Sequence, residues 1–116
     1  MNTERNQQYA NILITGVEGG IWYWAKVYKY ETGEETNTSP WVTLGDQWGD
    51  EPRKELCIMH MAAAFKMLKS GKASSGKGVD YWKKAYKEVG TGDWDYDAED
   101  ADILIQVAMY GEIVYG

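Results

Sequence analysis

The residues Gly16-Val17-Glu18-Gly19-Gly20-Ile21-Trp22-Tyr23-Trp24-Ala25-Lys26-Val27-Tyr28-Lys29-Tyr30 contain the change of period on which the fold depends. Before them, Tyr9, Ile12, Leu13, Val17 and Ile21 recur at the three-and-four spacing of one helical face, which outweighs a strand reading of Ile12-Leu13-Ile14. Thr3 fits the N-cap of that helix, Glu4 its first turn and Gly19-Gly20 its stop. Gly16 weakens the helix by about 1 kcal/mol relative to Ala, unless another segment packs closely against it. Beyond the glycines the period becomes two. Trp22, Trp24, Lys26, Tyr28 and Tyr30 share one strand face, and Ile21, Tyr23, Ala25, Val27 and Lys29 the other, so cover on both faces is expected.

Working outward, Glu31–Ser39 is polar and turn-rich, and Trp41-Val42-Thr43-Leu44 after Pro40 completes a hairpin. Asp50 fits the cap of a helix with Pro52 in its first turn, where a missing N–H does no harm. From Leu56 to Leu68 nearly every position is apolar, which predicts a central helix buried on most sides, with Cys57 and His60 as packed core residues. Lys69–Gly78 reads as a mobile basic loop. Asp80–Val89 is a short helix with Lys83, Lys84 and Lys87 outward, broken by Gly90-Thr91-Gly92. Asp97 caps a last helix whose main buried face is Ala101, Leu104, Ile105 and Ala108; Gly111 ends it, and Ile113-Val114-Tyr115 adds a short third strand. The expectation is a single α+β domain over residues 1–116: a small antiparallel sheet of two or three strands packed with about four helices.

Composition bounds the function. The 116 residues are 44% hydrophobic, enough for a core, yet no run of eighteen apolar residues occurs and the start is polar. A membrane span or secretory signal is not expected, which places the protein in the cytoplasm. One Cys and one His leave no disulfide framework or multi-Cys zinc site, and no cofactor is expected. The net charge of −6 is blockwise: −4 over residues 1–55, +5 over 56–92 and −7 over 93–116. Such blocks either steer a charged partner or pack against each other. Six Trp, nine Tyr and one Phe exceed what so short a chain can bury, so some rings should face a partner or ligand, a second copy of the chain included.

Several motifs begin well and fail. Gly71-Lys72-Ala73-Ser74-Ser75-Gly76-Lys77-Gly78 has phosphate-loop spacing up to its lysine, but the following position should carry a hydroxyl for magnesium and holds Gly78. Asp93-Trp94-Asp95-Tyr96-Asp97 opens like a calcium loop, yet the sixth and twelfth places hold Ala98 and Leu104 instead of Gly and Glu. Asp93, Asp95 and Asp97, continued by Glu99, Asp100 and Asp102, also form an acidic docking surface that imitates the charge spacing of a nucleic-acid backbone. Acids at a helix start are favoured by the helix dipole in any case. The only Cys and the only His sit three apart on one predicted helix, which offers no nucleophilic triad.

One constellation stands out. Glu18 ends a helix, where an acid faces the negative dipole end at a cost of about 0.3–1 kcal/mol unless compensated. Glu112 repeats that pattern beside Gly111, and Gln106 is a polar residue inside an apolar stretch. Placed together, Glu18, Trp24, Asp102, Gln106 and Glu112 make a polar, aromatic-walled pocket. Their simpler role is to hydrogen-bond loop backbone and hold the fold.

The stretch Val17-Glu18-Gly19-Gly20-Ile21-Trp22-Tyr23-Trp24, together with Asp100-Ala101-Asp102-Ile103-Leu104-Ile105-Gln106 and Tyr110-Gly111-Glu112-Ile113-Val114-Tyr115-Gly116, resembles the two ends of a family of small tailed-bacteriophage proteins. It departs from that family at Gly16, where the family carries Ala, and at Tyr110, where it carries Phe. The quoted stretches cover about a fifth of the chain. It implies a phage or prophage origin and expression in the host bacterial cytoplasm, and the motifs name no activity. Three functions follow in order. The first is an accessory protein that binds and inhibits a host defence or regulatory protein. The second is a binder of a nucleotide or nucleotide-derived signal, with Trp and Tyr stacking the base and Lys69, Lys72 and Lys77 meeting phosphate. The third is a carboxylate-dependent hydrolase or transferase using Glu18 and Glu112. Direct nucleic-acid binding is disfavoured by the net charge.

Overall fold

In a computed structural model the chain is described over residues 3–35, 38–49 and 52–116. Helix α1 runs Thr3–Thr15 and continues into a π-helical turn, Gly16–Gly20. Three strands follow: β1 (Ala25–Glu31), β2 (Trp41–Asp46) and β3 (Lys54–Cys57). Helices α2 (Ile58–Ser70), α3 (Gly78–Thr91) and α4 (Ala98–Tyr110) complete an α+β fold of four helices and one antiparallel sheet in the order β1-β2-β3.

The helix-to-strand change falls where its period changes, but β1 starts four residues later than the alternation predicts. Ile21 and Trp24 lie in the intervening turn and are fully buried. β1 is an edge strand with Lys26, Val27, Lys29 and Glu31 exposed, so the expected cover on both faces is absent. Its pairing slips between Val27 and Lys29. The skipped residue, Tyr28, lies under the Arg53 guanidinium, 3.7 Å from its ring centre. Such a bulge twists an exposed edge away from further pairing.

The third strand is Lys54–Cys57, not Ile113-Val114-Tyr115. Here the apolar run that suggests a long helix contains a strand: Leu56 lies opposite Val42 of β2, and both are fully buried. Helix α2 therefore starts at Ile58, and the expected cap Asp50 lies outside the described residues. Cys57 takes the cap position, half-buried, and its N–H donates to Nδ1 of His60 at 3.0 Å. His60 thus serves the first turn of α2 and not the middle of a core.

The most buried helix is α4, with an unbroken buried run from Asp100 to Val107. α2 keeps one wet face, with Met59 75% exposed. Around α4 the core joins Ile12, Leu13 and Val17 to Leu44, Leu56, Phe65 and Leu68. Phe65 is a hub for rings, with its centroid 5.2 Å from Trp94, 5.4 Å from Trp82 and 5.9 Å from Tyr86. Only Trp22, Tyr23 and Trp48 among the sixteen aromatic residues are exposed. The fold thus buries or half-buries far more rings than composition alone suggests.

The connection between α2 and α3 is tied down. Ala73 is buried and its N–H donates to the Met67 carbonyl at 3.1 Å, while Ser75 Oγ accepts the Trp82 indole N–H at 2.8 Å. Those bonds replace the mobile loop that its Gly, Ser and Lys content predicts.

The π turn packs against α4 through absent side chains. A Cβ at Gly16 would fall 2.2 Å from Cδ1 of Ile105, and one at Gly20 would fall 2.7 Å from the carbonyl oxygen of Ala98. Ile105 can rotate; the Ala98 backbone cannot. Gly20→Ala should therefore cost about 1–3 kcal/mol through overpacking. Gly19→Ala, where nothing lies within 4 Å, should change stability by less than about 0.5 kcal/mol. Urea midpoints of the two variants check this, and equal midpoints would contradict the close approach.

Candidate functional site

A helix buried all round cannot leave polar side chains without partners, because each unpaired group costs about 1–3 kcal/mol. α4 carries three such residues: Asp100, Asp102 and Gln106. The elements around it are positioned to satisfy them.

Asp102 receives donors from the turn ahead of β1. The Trp24 indole N–H donates to Oδ1 at 2.7 Å, and the Tyr23 hydroxyl donates to Oδ2 at 2.5 Å. Gln106, one helical turn on, donates from Nε2 to Oδ1 of Asp102 at 3.0 Å. Its Oε1 accepts the main-chain N–H groups of Val114 and Tyr115, each at 2.8 Å. The Tyr115 ring stacks on Trp24 with centroids 5.1 Å apart and planes 11° apart. Trp48, from the β2–β3 turn, packs on Tyr115 with centroids 5.5 Å apart. The Gln47 amide also donates to the Tyr23 carbonyl, which joins that turn to the one before β1.

Of the five residues read as a pocket, Trp24, Asp102 and Gln106 therefore form one hydrogen-bonded cluster. Glu18 and Glu112 take no part in those bonds. Glu18 is exposed and accepts from the Tyr30 hydroxyl at 2.8 Å; Glu112 is exposed in the turn after α4. Tyr23, Tyr115 and Trp48 complete the cluster without having stood out in the sequence. Ring residues in alternating stretches look like generic strand residues until their partners are known.

Asp100 organises a second cluster. Its carboxylate accepts from the Tyr81 hydroxyl at 2.8 and 2.9 Å and from Lys77 Nζ at 2.6 Å. It also accepts the Asp97 N–H at 3.2 Å, while Asp97 accepts the Asp100 N–H at 2.8 Å, a reciprocal cap on α4. That backbone N–H holds the Asp97 carboxyl below its ordinary pKa, with Lys77 adding to the effect. Asp93 and Asp95 are exposed, and Asp93 accepts from the Thr91 hydroxyl at 2.8 Å. Of the six acids read as one surface, Asp93, Asp95 and Glu99 point outward, Asp97 is a cap, and Asp100 and Asp102 are buried.

Of the lysines proposed to meet phosphate, Lys77 is committed to Asp100, and Lys69 sits 4.1 Å over the Tyr86 ring. Lys72 is exposed. Among the described residues no group of three or more His, Cys, Asp or Glu side chains is placed to hold a metal ion, and no helix is long and apolar enough to cross a membrane. No protein-family model matches the chain, and no curated protein or solved structure is significantly similar to it.

Two outcomes follow from the carboxylates. Asp102→Ala would leave the buried Trp24 N–H without its acceptor and take one of several from the Gln106 amide, and should cost about 1–3 kcal/mol in denaturant unfolding. A cost below about 0.5 kcal/mol, the range of an ordinary surface change, would remove Asp102 as the organiser. Tyr23 and Tyr81 are each pushed up to about 12, by partial burial and then by the adjacent carboxylate. The unfolded chain, with tyrosines near their ordinary value of 10.0, releases those protons first. Their contribution to stability should therefore be present below pH about 10 and be lost as the pH rises towards about 12. The slope between these limits should flatten in Tyr23→Phe and in Tyr81→Phe, as followed by urea titrations at each pH.

Proposed function

We propose that this chain is a bacteriophage accessory protein that acts in the host bacterial cytoplasm by binding, and thereby inhibiting, a host defence or regulatory protein. The observation that carries this reading is a surface made from three segments remote in sequence. Tyr23 (49% exposed), Trp48 (58%) and Val114 (51%) surround the half-buried Tyr115. Large rings on a rigid base suit a protein partner, since interfaces are enriched in Tyr and Trp and hot spots draw on them. Their base is rigid because Trp24, Tyr115 and Trp48 pack ring on ring. Glu112, Asp93 and Asp95 stay exposed, outward acids suited to a basic partner. The phage origin rests on the resemblance of residues 17–24 and 100–116, the same stretches that meet at Asp102 and Gln106.

The other readings have less support. A nucleotide site would need free lysines, and Lys77 is spent on Asp100. Carboxylate catalysis would need Glu18 and Glu112 to act on one substrate, and Glu18 is bonded to Tyr30.

Capture from host lysate tests the proposal. The unaltered chain should retain one host protein in near-stoichiometric amount, and Trp48→Ala, if folded by circular dichroism, should lower that affinity about tenfold or more. Reversing Asp93 and Asp95 to Lys, with the Asp97 cap left intact, should weaken capture and reduce its salt dependence. Equal recovery by all three chains, or none by any, removes the reading. A thermal shift of several degrees with any nucleotide, against a flat response in capture, would favour the second function.

A further inference from the structure

We infer that the recess occupied by residues 113–115 is a binding slot for an extended peptide bearing one aromatic side chain, filled in cis by this chain's own segment. The inference goes beyond the host-protein reading, since its ligand takes the place of Val114 and Tyr115, and it can be tested without any host protein.

The slot reads main chain. Gln106, 1% exposed, uses Oε1 on the N–H groups of Val114 and Tyr115 and adds a bond from Nε2 to the Tyr115 carbonyl at 3.2 Å. These three bonds are indifferent to side chains, as in strand addition to a sheet edge, where the main chain gives affinity and pockets give specificity. Here an amide side chain replaces the sheet edge. Beside the place of Ile113, the slot has an aromatic pocket: Tyr115 lies against Trp24, Trp48 and Tyr110, with centroids at 5.1, 5.5 and 5.9 Å. Exposure alternates along the segment, with Ile113 and Tyr115 inward and Glu112, Val114 and Gly116 outward.

The inner wall holds together without the occupant; Trp48, at the rim, packs on Tyr115 itself. Trp24 and Tyr23 are fixed to Asp102, and Asp102 to Gln106, by bonds that involve no atom of residues 111–116. The occupant is held by contacts that a second peptide can also make: main-chain bonds to Gln106 and one seated ring. It forms no helix or strand, and it leaves α4 at Gly111, whose φ of +76° makes it a natural pivot. A peptide in trans can therefore replace it bond for bond. What favours the cis segment is its effective concentration, on the order of mM for a short connection.

The test titrates the full chain, purified, with the end-blocked peptide acetyl-Glu-Ile-Val-Tyr-Gly-amide and with the same peptide carrying alanine in place of its tyrosine. Two variants weaken the cis occupant and spare the inner wall: Tyr115→Ala vacates the ring pocket, and Val114→Pro removes one N–H donor to Gln106. Calorimetry should show saturable binding of the tyrosine peptide to both variants and binding weaker by at least about tenfold to the unaltered chain, because there the peptide competes with a tethered segment. The alanine peptide should bind neither variant at those concentrations. Equal binding to variant and unaltered chain, no preference for the tyrosine peptide, or no binding at all overturns the slot. So does failure of both variants to fold by circular dichroism, because the segment is then an inseparable part of the core. A positive titration with failed host capture removes the host-protein reading alone; the reverse result removes the slot alone.

Discussion

A carboxylate and an amide on a helix with no wet side constrain everything near them. Asp102 and Gln106 are 8% and 1% exposed, so their hydrogen-bonding capacity must be met from within the protein. Water cannot do it, and α4 cannot do it alone, since its main chain is already paired. The donors come from the Tyr23-Trp24 turn, and the remaining acceptor capacity is spent on the main chain of residues 114 and 115. That turn is held at the right distance by the π-helical step before it, which Gly20 lets pass directly over the Ala98 carbonyl. Distant parts of the chain are thus joined by a demand that originates in two side chains.

The same logic explains which parts of the fold are legible in sequence. α1 and α4 show their period and their glycine ends plainly, and α3 shows an apolar face opposed by lysines. β3 is hidden because Leu56-Cys57 merges with the apolar run of α2, and Asp50 with Pro52 imitates a helix start. Only the pairing of Leu56 with Val42, a contact between segments, ends that ambiguity. The rank of the helices is hidden for a related reason. Asp100, Asp102 and Gln106 make α4 look half-polar, whereas each is buried against a hydroxyl, an indole or an ammonium from elsewhere.

The candidate site divides in the same way. A polar residue inside an apolar helix must find partners, so Gln106 and its neighbour one turn back, Asp102, can be singled out from sequence, and Trp24 offers the indole donor they need. An exposed acid beside a glycine carries no such obligation. Glu18 and Glu112 share a local pattern, and such a pattern calls for no common partner; Glu18 accepts from the Tyr30 hydroxyl near the end of β1. Tyr115 escapes notice because its role depends on Gln106 bonding the main chain beside it, which no spacing reveals.

The placement of Tyr115 links scaffold to surface. Its ring continues the buried Trp24 outward to Trp48, so the exposed aromatic patch is the outer end of the packing that Asp102 and Gln106 organise from below. Rings on a soft loop would lose conformational entropy on meeting a partner, and that loss subtracts directly from affinity. Rings stacked on a buried indole have already lost it during folding. The polar cluster inside α4 therefore has a consequence at the surface even though no partner needs to touch it: it sets how stiffly Tyr23, Trp48 and Tyr115 are presented. Loosening Gln106 would release the main chain of Tyr115, and with it the ring that joins Trp24 to Trp48.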